Sequence, residues 1–213
     1  MTQGRDAFGK VAQQLRTDLR DGVLAPGTPL VVLDLAKRLR VSPTPVREAL
    51  SRLSGQGLVE EHRGRGFIAA RRRAVDLIEL HRLHDGLIAT ALEQRSAKAA
   101  DGGPILVDAS SAADGRLDEQ LRALTEALWR AVVGLCGNRA LETAHGQLQD
   151  QLAVARLVER GVFRDLGGEL AGLVRLFELK DYAGLKTAAR RYHRRRCEAA
   201  TALAHAIRDT FGG

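Results

Sequence analysis

Between Val41 and Leu53 the chain sets Thr44, Arg47, Glu48 and Ser51 against Val46, Ala49, Leu50 and Leu53 at helical spacing. On a helix the two sets fall on opposite faces, one polar and one apolar. A polar face of Thr, Arg and Ser suits the DNA major groove. Arginine can place two N–H groups on guanine O6 and N7, and threonine can bond a base or phosphate or pack on a thymine methyl. Ser42 is expected to cap this helix with its hydroxyl. Pro43 and Pro45 lie in the first turn, where an N–H has no intrahelical partner to lose. The plainer alternative is an ordinary solvated surface helix, and the flanks must decide.

Other reactive side chains are sparse. Cys136 and Cys197 are the two cysteines of the sequence and form no Cys-x-x-Cys pair, which speaks for a reducing compartment and against structural zinc. His145 follows Cys136 across Gly137-Asn138, but nothing evident orients the two as base and nucleophile. No Gly-x-Ser-x-Gly elbow, P-loop or His-Glu-x-x-His occurs. The chain therefore does not read as an enzyme.

The elements around the polar helix give it a setting. Residues 6–21 read as a helix through Phe8, Val11, Ala12, Leu15 and Leu19, with Asp21-Gly22 as its stop. Ala25-Pro26-Gly27-Thr28-Pro29 reads as a turn cluster. A short helix over 33–40 turns Leu35, Ala36 and Leu39 inward and Lys37, Arg38 and Arg40 outward. Two helices joined so closely make a helix-turn-helix, whose second helix reads the groove. Leu58–His62 and Phe67–Ala70 are short β-capable runs around Arg63-Gly64-Arg65-Gly66. Such a hairpin would be a wing, with Arg63 and Arg65 able to reach phosphate or minor groove and Gly66 allowing close approach. Gly64-x-Gly66 lacks the strand–turn–helix context of a dinucleotide site. Arg71-Arg72-Arg73 then reads as a solvated hinge.

Composition agrees with this setting. The 213 residues carry a formal charge of +7 and a sequence pI of about 10.1, which favours a polyanionic partner. Aromatics are 4%, so the core must come from Leu, Ala, Val and Ile. All five prolines lie at or before Pro104, leaving the second half free for long helices. Neither a signal-peptide core nor a bilayer-length apolar run is evident, and a cytoplasmic location is expected.

Pro26-Gly27, Leu30, Leu35-Ala36, Val41-Ser42-x-Thr44-Pro45-Val46-Arg47-Glu48-Ala49-Leu50, Leu53, Gly57-Leu58-Val59 and Gly64-x-Gly66 stand in fixed order over residues 6–70. In this the chain closely resembles the GntR family of bacterial transcriptional regulators. The resemblance implies DNA contacts at Ser42, Thr44, Arg47 and the wing residues Arg63, Arg65 and Gly66; Arg38 and Ser51 are further candidates. The family usually has arginine at the positions of Pro43 and Leu33, so an altered operator preference is expected.

Beyond Val75 the pattern is helical throughout. Leu77, Leu80, His84, Leu87, Ile88 and Ala91 share a face; Asp101-Gly102-Gly103-Pro104 breaks the helix; residues 109–115 are weakly patterned. Further helices are expected from Leu117 to the Gly137-Asn138 stop, over 139–160 and 163–179, and from Tyr182 to Phe211 as one long helix. This layout resembles the FadR-like branch, which implies an all-helical effector-binding and dimerisation domain. The expected fold is thus mainly α: a winged helix-turn-helix over 1–70, a linker over 71–75 and a helical bundle over 76–213.

Many domains of that branch hold a divalent metal with one Asp and three His. Their positions fall here on Thr125, Trp129, Leu170 and His193, and only His193 is a ligand type. No metal is expected. The space should instead suit a small organic effector, with His84, Thr125, Trp129, Leu170 and His193 as candidate contacts. For Trp129 the reading as core filler is slightly favoured. A metal-responsive alternative would use His81, His84 and His193, and a further one is a general DNA binder with a degenerate pocket. The resemblance implies a homodimer on palindromic double-stranded DNA, as a repressor. The run Arg190-Arg191-Tyr192-His193-Arg194-Arg195-Arg196 reads as a solvated face, or as partner to acidic neighbours.

Overall fold

A computed structural model describes residues 2–62, 64, 66–95 and 116–212. Its elements are α1 (Thr2–Arg20), β1 (Pro29–Leu30), α2 (Val32–Leu39), α3 (Pro43–Gly55), β2 (Val59–His62), β3 (Gly66–Ala69), α4 (Ala74–Glu93), α5 (Arg116–Gly134), α6 (Arg139–Val162), α7 (Leu166–Glu178), α8 (Tyr182–Glu198) and α9 (Ala200–Phe211). Two compact units form: Met1–Arg72 with Ile207–Gly213, and Arg73–Ala206. The end of the chain therefore groups with the first unit, not with the helical one as the boundary 76–213 assumed. The expected break at 101–104 and the segment 109–115 lie outside the described residues, as do Arg63 and Arg65.

In the first unit, Leu15 of α1 and Val46, Ala49, Leu50 and Leu53 of α3 are fully buried together. That contact fixes which face of α3 points outward. The sheet has three strands in the order β1-β3-β2, all antiparallel, with Leu30 opposite Phe67 and Glu61 opposite Phe67 on the other side. The sequence suggested a two-stranded wing and a turn ending at Pro29. Instead Pro29 opens an edge strand, a position where its missing N–H does no harm, and Leu30 drops into the core. The hinge is also more ordered than expected. The Arg72 guanidinium donates to the Gly57 carbonyl, while the Arg73 N–H donates to Asp76 Oδ2 at 2.8 Å and caps α4.

The second unit is built from α4 to α8 and most of α9. Its core surrounds Trp129, with Ile88, Leu128, Val132, Leu173, Leu185 and Tyr192. The helix starts are capped locally. Asn138 Oδ1 accepts from the N–H groups of Ala140 and Leu141, both at 3.1 Å. Asp165 and Asp181 do the same for Gly168 and Gly184. The single helix expected from Tyr182 to Phe211 is two, separated at Ala199, whose backbone sits at φ −90°, ψ 6°. Neither proline nor glycine marks that break in the sequence.

Candidate functional site

In the first unit α2 ends at Arg40, which adopts a left-handed conformation at φ 56°, ψ 43°. The Val41 N–H donates to the Ala36 carbonyl at 3.0 Å and closes the turn. Helix α3 then starts at Pro43 and presents Thr44, Arg47, Glu48 and Ser51 to solvent. Its opposite face is the buried row already named, so these side chains cannot rotate inward without breaking the core. Ser42 has the extended backbone of a cap, yet its side chain makes no capping bond. Part of the reason lies three residues on: a cap hydroxyl serves the N–H of N2 or N3, and N3 here is Pro45, which leaves the Thr44 N–H as the one available donor. Ser42 is exposed and its hydroxyl is not committed to the helix end.

Two other candidates stand differently. Arg38 pairs with Asp18 of α1, so its guanidinium is held by the protein. Gly66 is exposed at the start of β3 with φ 83°, a conformation that favours glycine.

The second unit encloses a polar layer. His81 and His84 come from α4, Trp129 from α5, His145 from α6, and Tyr192 and His193 from α8. His84 stacks on His145 at 5.1 Å between ring centres, meets Trp129 edge-on at 5.8 Å and lies tilted against His193 at 4.8 Å. Three of the five effector candidates, His84, Trp129 and His193, thus meet. Thr125 and Leu170 line a separate cleft together with Arg156, Tyr192 and Arg196.

The tautomers follow from the bonds. His193 Nδ1 lies 2.7 Å from the Ala189 carbonyl, which can only accept, so the proton is on Nδ1. His193 Nε2 then carries the lone pair that accepts from His84 Nδ1 at 2.5 Å. His145 Nε2 accepts from the Gln149 amide at 3.1 Å. Burial holds these rings neutral. It lowers His193 to about 3 and His145 to about 4; His81 and His84 are pushed well below the usual range by burial first, then by the neighbouring His193 and Arg156.

Beside this layer Arg196 is fully buried. Its Nε donates to Glu159 Oε1 at 2.9 Å, its Nη2 to Glu159 Oε2 at 2.8 Å and its Nη1 to Glu169 Oε2 at 2.8 Å. Arg195 also reaches Glu169 at 3.2 Å. The basic run of α8 is therefore split: Arg190, Arg191 and Arg194 face solvent, whereas Arg196 is a core residue. Sequence reasoning missed Arg156, Glu159 and Tyr192 and saw His145 only as a neighbour of Cys136. A signal existed. His145, Gln149, Arg156 and Glu159 recur at helical spacing beside Leu148, Leu152 and Ala155, which places polar groups on the apolar face.

Comparison with known proteins bears on both units. Residues 8–68 match the model of the bacterial regulatory proteins of the gntR family. The chain thus carries a GntR-family segment over residues 8–68. It is 28% identical over 139 residues to the "Nta operon transcriptional regulator" of Aminobacter aminovorans, covering 63% of this chain and 66% of that protein. It is 39% identical over 82 residues to the "Uncharacterized HTH-type transcriptional regulator BphR" of Paraburkholderia xenovorans (strain LB400), covering 38% and 34%. The matches thus span just under two thirds of one curated relative and about a third of the other. In fold, the chain resembles the solved structure of E. coli McbR/YncC, with a TM-score of 0.67 at 20% identity over 91% of this chain and 96% of that one. A GntR protein of Rhodococcus sp. RHA1 gives the same TM-score and identity over 92% and 96%.

The GntR resemblance raises the metal of the FadR-like branch, and the residues do not fit one. Thr125 spends its hydroxyl on the Leu121 carbonyl at 2.7 Å. Trp129 and Leu170 are apolar core. Both nitrogens of His193 are engaged, one with Ala189 and one with His84. In the alternative set of His81, His84 and His193, the His81 ring and His84 Nε2 have no hydrogen-bond partner among the described residues, but both nitrogens of His193 are taken. Among the described residues no group of three His, Cys, Asp or Glu is placed to hold an ion.

Proposed function

We propose that this protein is a sequence-specific DNA-binding transcriptional regulator of the FadR-like branch of the GntR family, a homodimeric repressor whose helical unit senses a small organic effector without a metal. One observation carries the DNA reading: α3 is anchored by a fully buried row and offers Thr44, Arg47 and Ser51 outward. The family's winged helix-turn-helix over residues 8–68 supports it. A two-fold protein reads a palindrome, with half-sites about 34 Å apart along the duplex. The effector can shift DNA binding only by the difference in its affinity for the competent and incompetent states. The all-helical second unit supports the branch. No described helix is long and apolar enough to cross a membrane.

The test is selection of bound sequences from a random duplex pool, followed by titration of the winning site. A palindromic consensus and loss of its preference in Arg47→Ala, with the helical content unchanged, are expected. A protein that binds all duplexes alike at every salt concentration is a general DNA binder instead.

A further inference from the structure

The first unit is assembled from two stretches of chain, Met1–Arg72 and Ile207–Gly213. The second stretch begins inside α9, which runs from Ala200 to Phe211. The peptide chain thus passes between the units twice, once from Arg72 to Arg73 and once from Ala206 to Ile207. The second passage lies within a helix, whose backbone is held by hydrogen bonds from one turn to the next. A unit on a single hinge can turn about it. A unit tied at two points turns only if the helix frays or its end lets go.

The end of α9 is seated on one spot of the first unit. Gly22 follows α1 with φ 73°, and a Cβ added there would overlap Cε1 of Phe211 and stand 2.8 Å from its Cζ. The ring therefore lies directly on the glycine backbone, an approach that any side chain at position 22 would block. Ile207, one helical turn before Phe211 and on the same face, is 3% exposed.

Helix α1 carries this seat to the reading helix. Leu15 and Leu19 share a core with the buried row of α3. Arg16 donates to Gln56 Oε1 at 2.8 Å, just beyond the end of α3, and Asp18 holds Arg38 of α2. The half of α1 that leads to Gly22 thus grips both helices of the helix-turn-helix.

We infer that the end of α9 is a strap on the DNA-reading unit, and that Phe211, clasped on Gly22, is a positioning residue for DNA recognition. The inference extends the proposed DNA-reading role and rests on it for the operator measurement alone. Phe211 acts through α1, by fixing the orientation in which α3 is offered to the groove. With the strap fastened the unit samples few orientations about Arg71–Arg73. With it released the unit samples many, and the fraction able to engage both half-sites falls.

Full-length Phe211→Ala and Gly22→Ala test this: the first removes the ring, and the second puts a methyl in its place. Each carries the test if the other fails to fold; if neither folds, the seat belongs to the core and the strap is overturned. Trypsin can cut after Arg71, Arg72 and Arg73, and fragment masses report cleavage there. Release is expected to speed that cleavage about tenfold, as the open form becomes more populated, with other sites cut as before. Operator affinity is then measured on palindromes with the selected half-site spacing and with one base pair more or fewer. The variants are expected to bind the selected spacing about tenfold more weakly and to discriminate less among the three. Unchanged hinge cleavage, or faster cleavage at every site, overturns the strap. Faster hinge cleavage with an equal affinity loss at all spacings, or with none, overturns the positioning role. If the parent protein prefers no sequence, the DNA-reading proposal itself fails, and hinge cleavage alone decides the strap.

Discussion

Glu159 on α6 and Arg196 on α8 meet as a two-bond pair inside the helical unit, at 2.9 and 2.8 Å, with side chains 6% and 2% exposed. Burial works against the charge of Arg196, but Tyr192 and the Glu159 carboxylate outweigh it and hold the guanidinium ionised. The pair joins two helices that are far apart in sequence. Its rupture strands a charge in the core.

Glu159→Ala is therefore expected to cost about 3–5 kcal/mol, most of it the penalty of the orphaned guanidinium. Glu159→Leu combined with Arg196→Met should recover much of that loss, because Glu169 keeps Arg195 as partner. Urea unfolding of the two variants decides it. A single variant as stable as the parent would show that the pair is incidental.

Acid should destabilise the fold well before carboxylates titrate. His145 and His193 have folded pKa values of about 4 and about 3, below the unfolded value of 6.5. The unfolded chain therefore binds more protons in this window. Stability is complete above about pH 6.5 and falls as the pH drops toward 4, by up to ~1.4 kcal/mol per pH unit for each such group. His81 and His84 act in the same direction. Denaturant midpoints measured from pH 7.5 to 4.5 should decline steadily; a flat profile would contradict the buried neutral cluster.

Arg40 closes α2 in the left-handed region with its side chain exposed. A Cβ there costs about 1 kcal/mol that glycine avoids. Arg40→Gly is expected to raise the thermal midpoint of the protein by a few degrees. A fall would mean that the arginine side chain contributes more than its backbone strain takes away.

Thr44 and Arg47 should differ in how they serve recognition. Losing Arg47 is expected to remove about 1–3 kcal/mol of discrimination at one base position. Thr44→Ala, if Thr44 meets a phosphate, should lower affinity for every duplex alike and reduce the salt slope. Binding isotherms on the selected site and on a scrambled duplex at several salt concentrations separate these outcomes.

Purified protein is expected to carry no stoichiometric zinc or nickel. Elemental analysis after dialysis against a non-chelating buffer measures this directly. A one-to-one content would require His193 to give up its bond to His84.

The residues from 6 to 70 allowed the DNA-reading unit to be recognised before any coordinates. Its order of turn residues, apolar spacing and polar face is local, and local spacing is what a sequence displays. The burial of Val46, Ala49, Leu50 and Leu53 follows from that spacing alone. The strand at Pro29, the idle hydroxyl of Ser42 and the bond from Arg38 to Asp18 were not legible in the same way. Each depends on a partner elsewhere in the unit, or on which neighbouring N–H is missing.

In the helical unit the sequence by itself indicated the helices, except for the break at Ala199, and it set Thr125, Trp129 and Leu170, which are poor metal ligands, at positions that the FadR-like resemblance assigns to a metal. Only the tertiary structure decided that His84 meets His193 and that Arg196 leaves an otherwise solvated basic run for Glu159. Those pairings join residues of different helices. The free energy that makes a buried charge tolerable comes from a partner brought by packing, and no spacing along one chain segment records it.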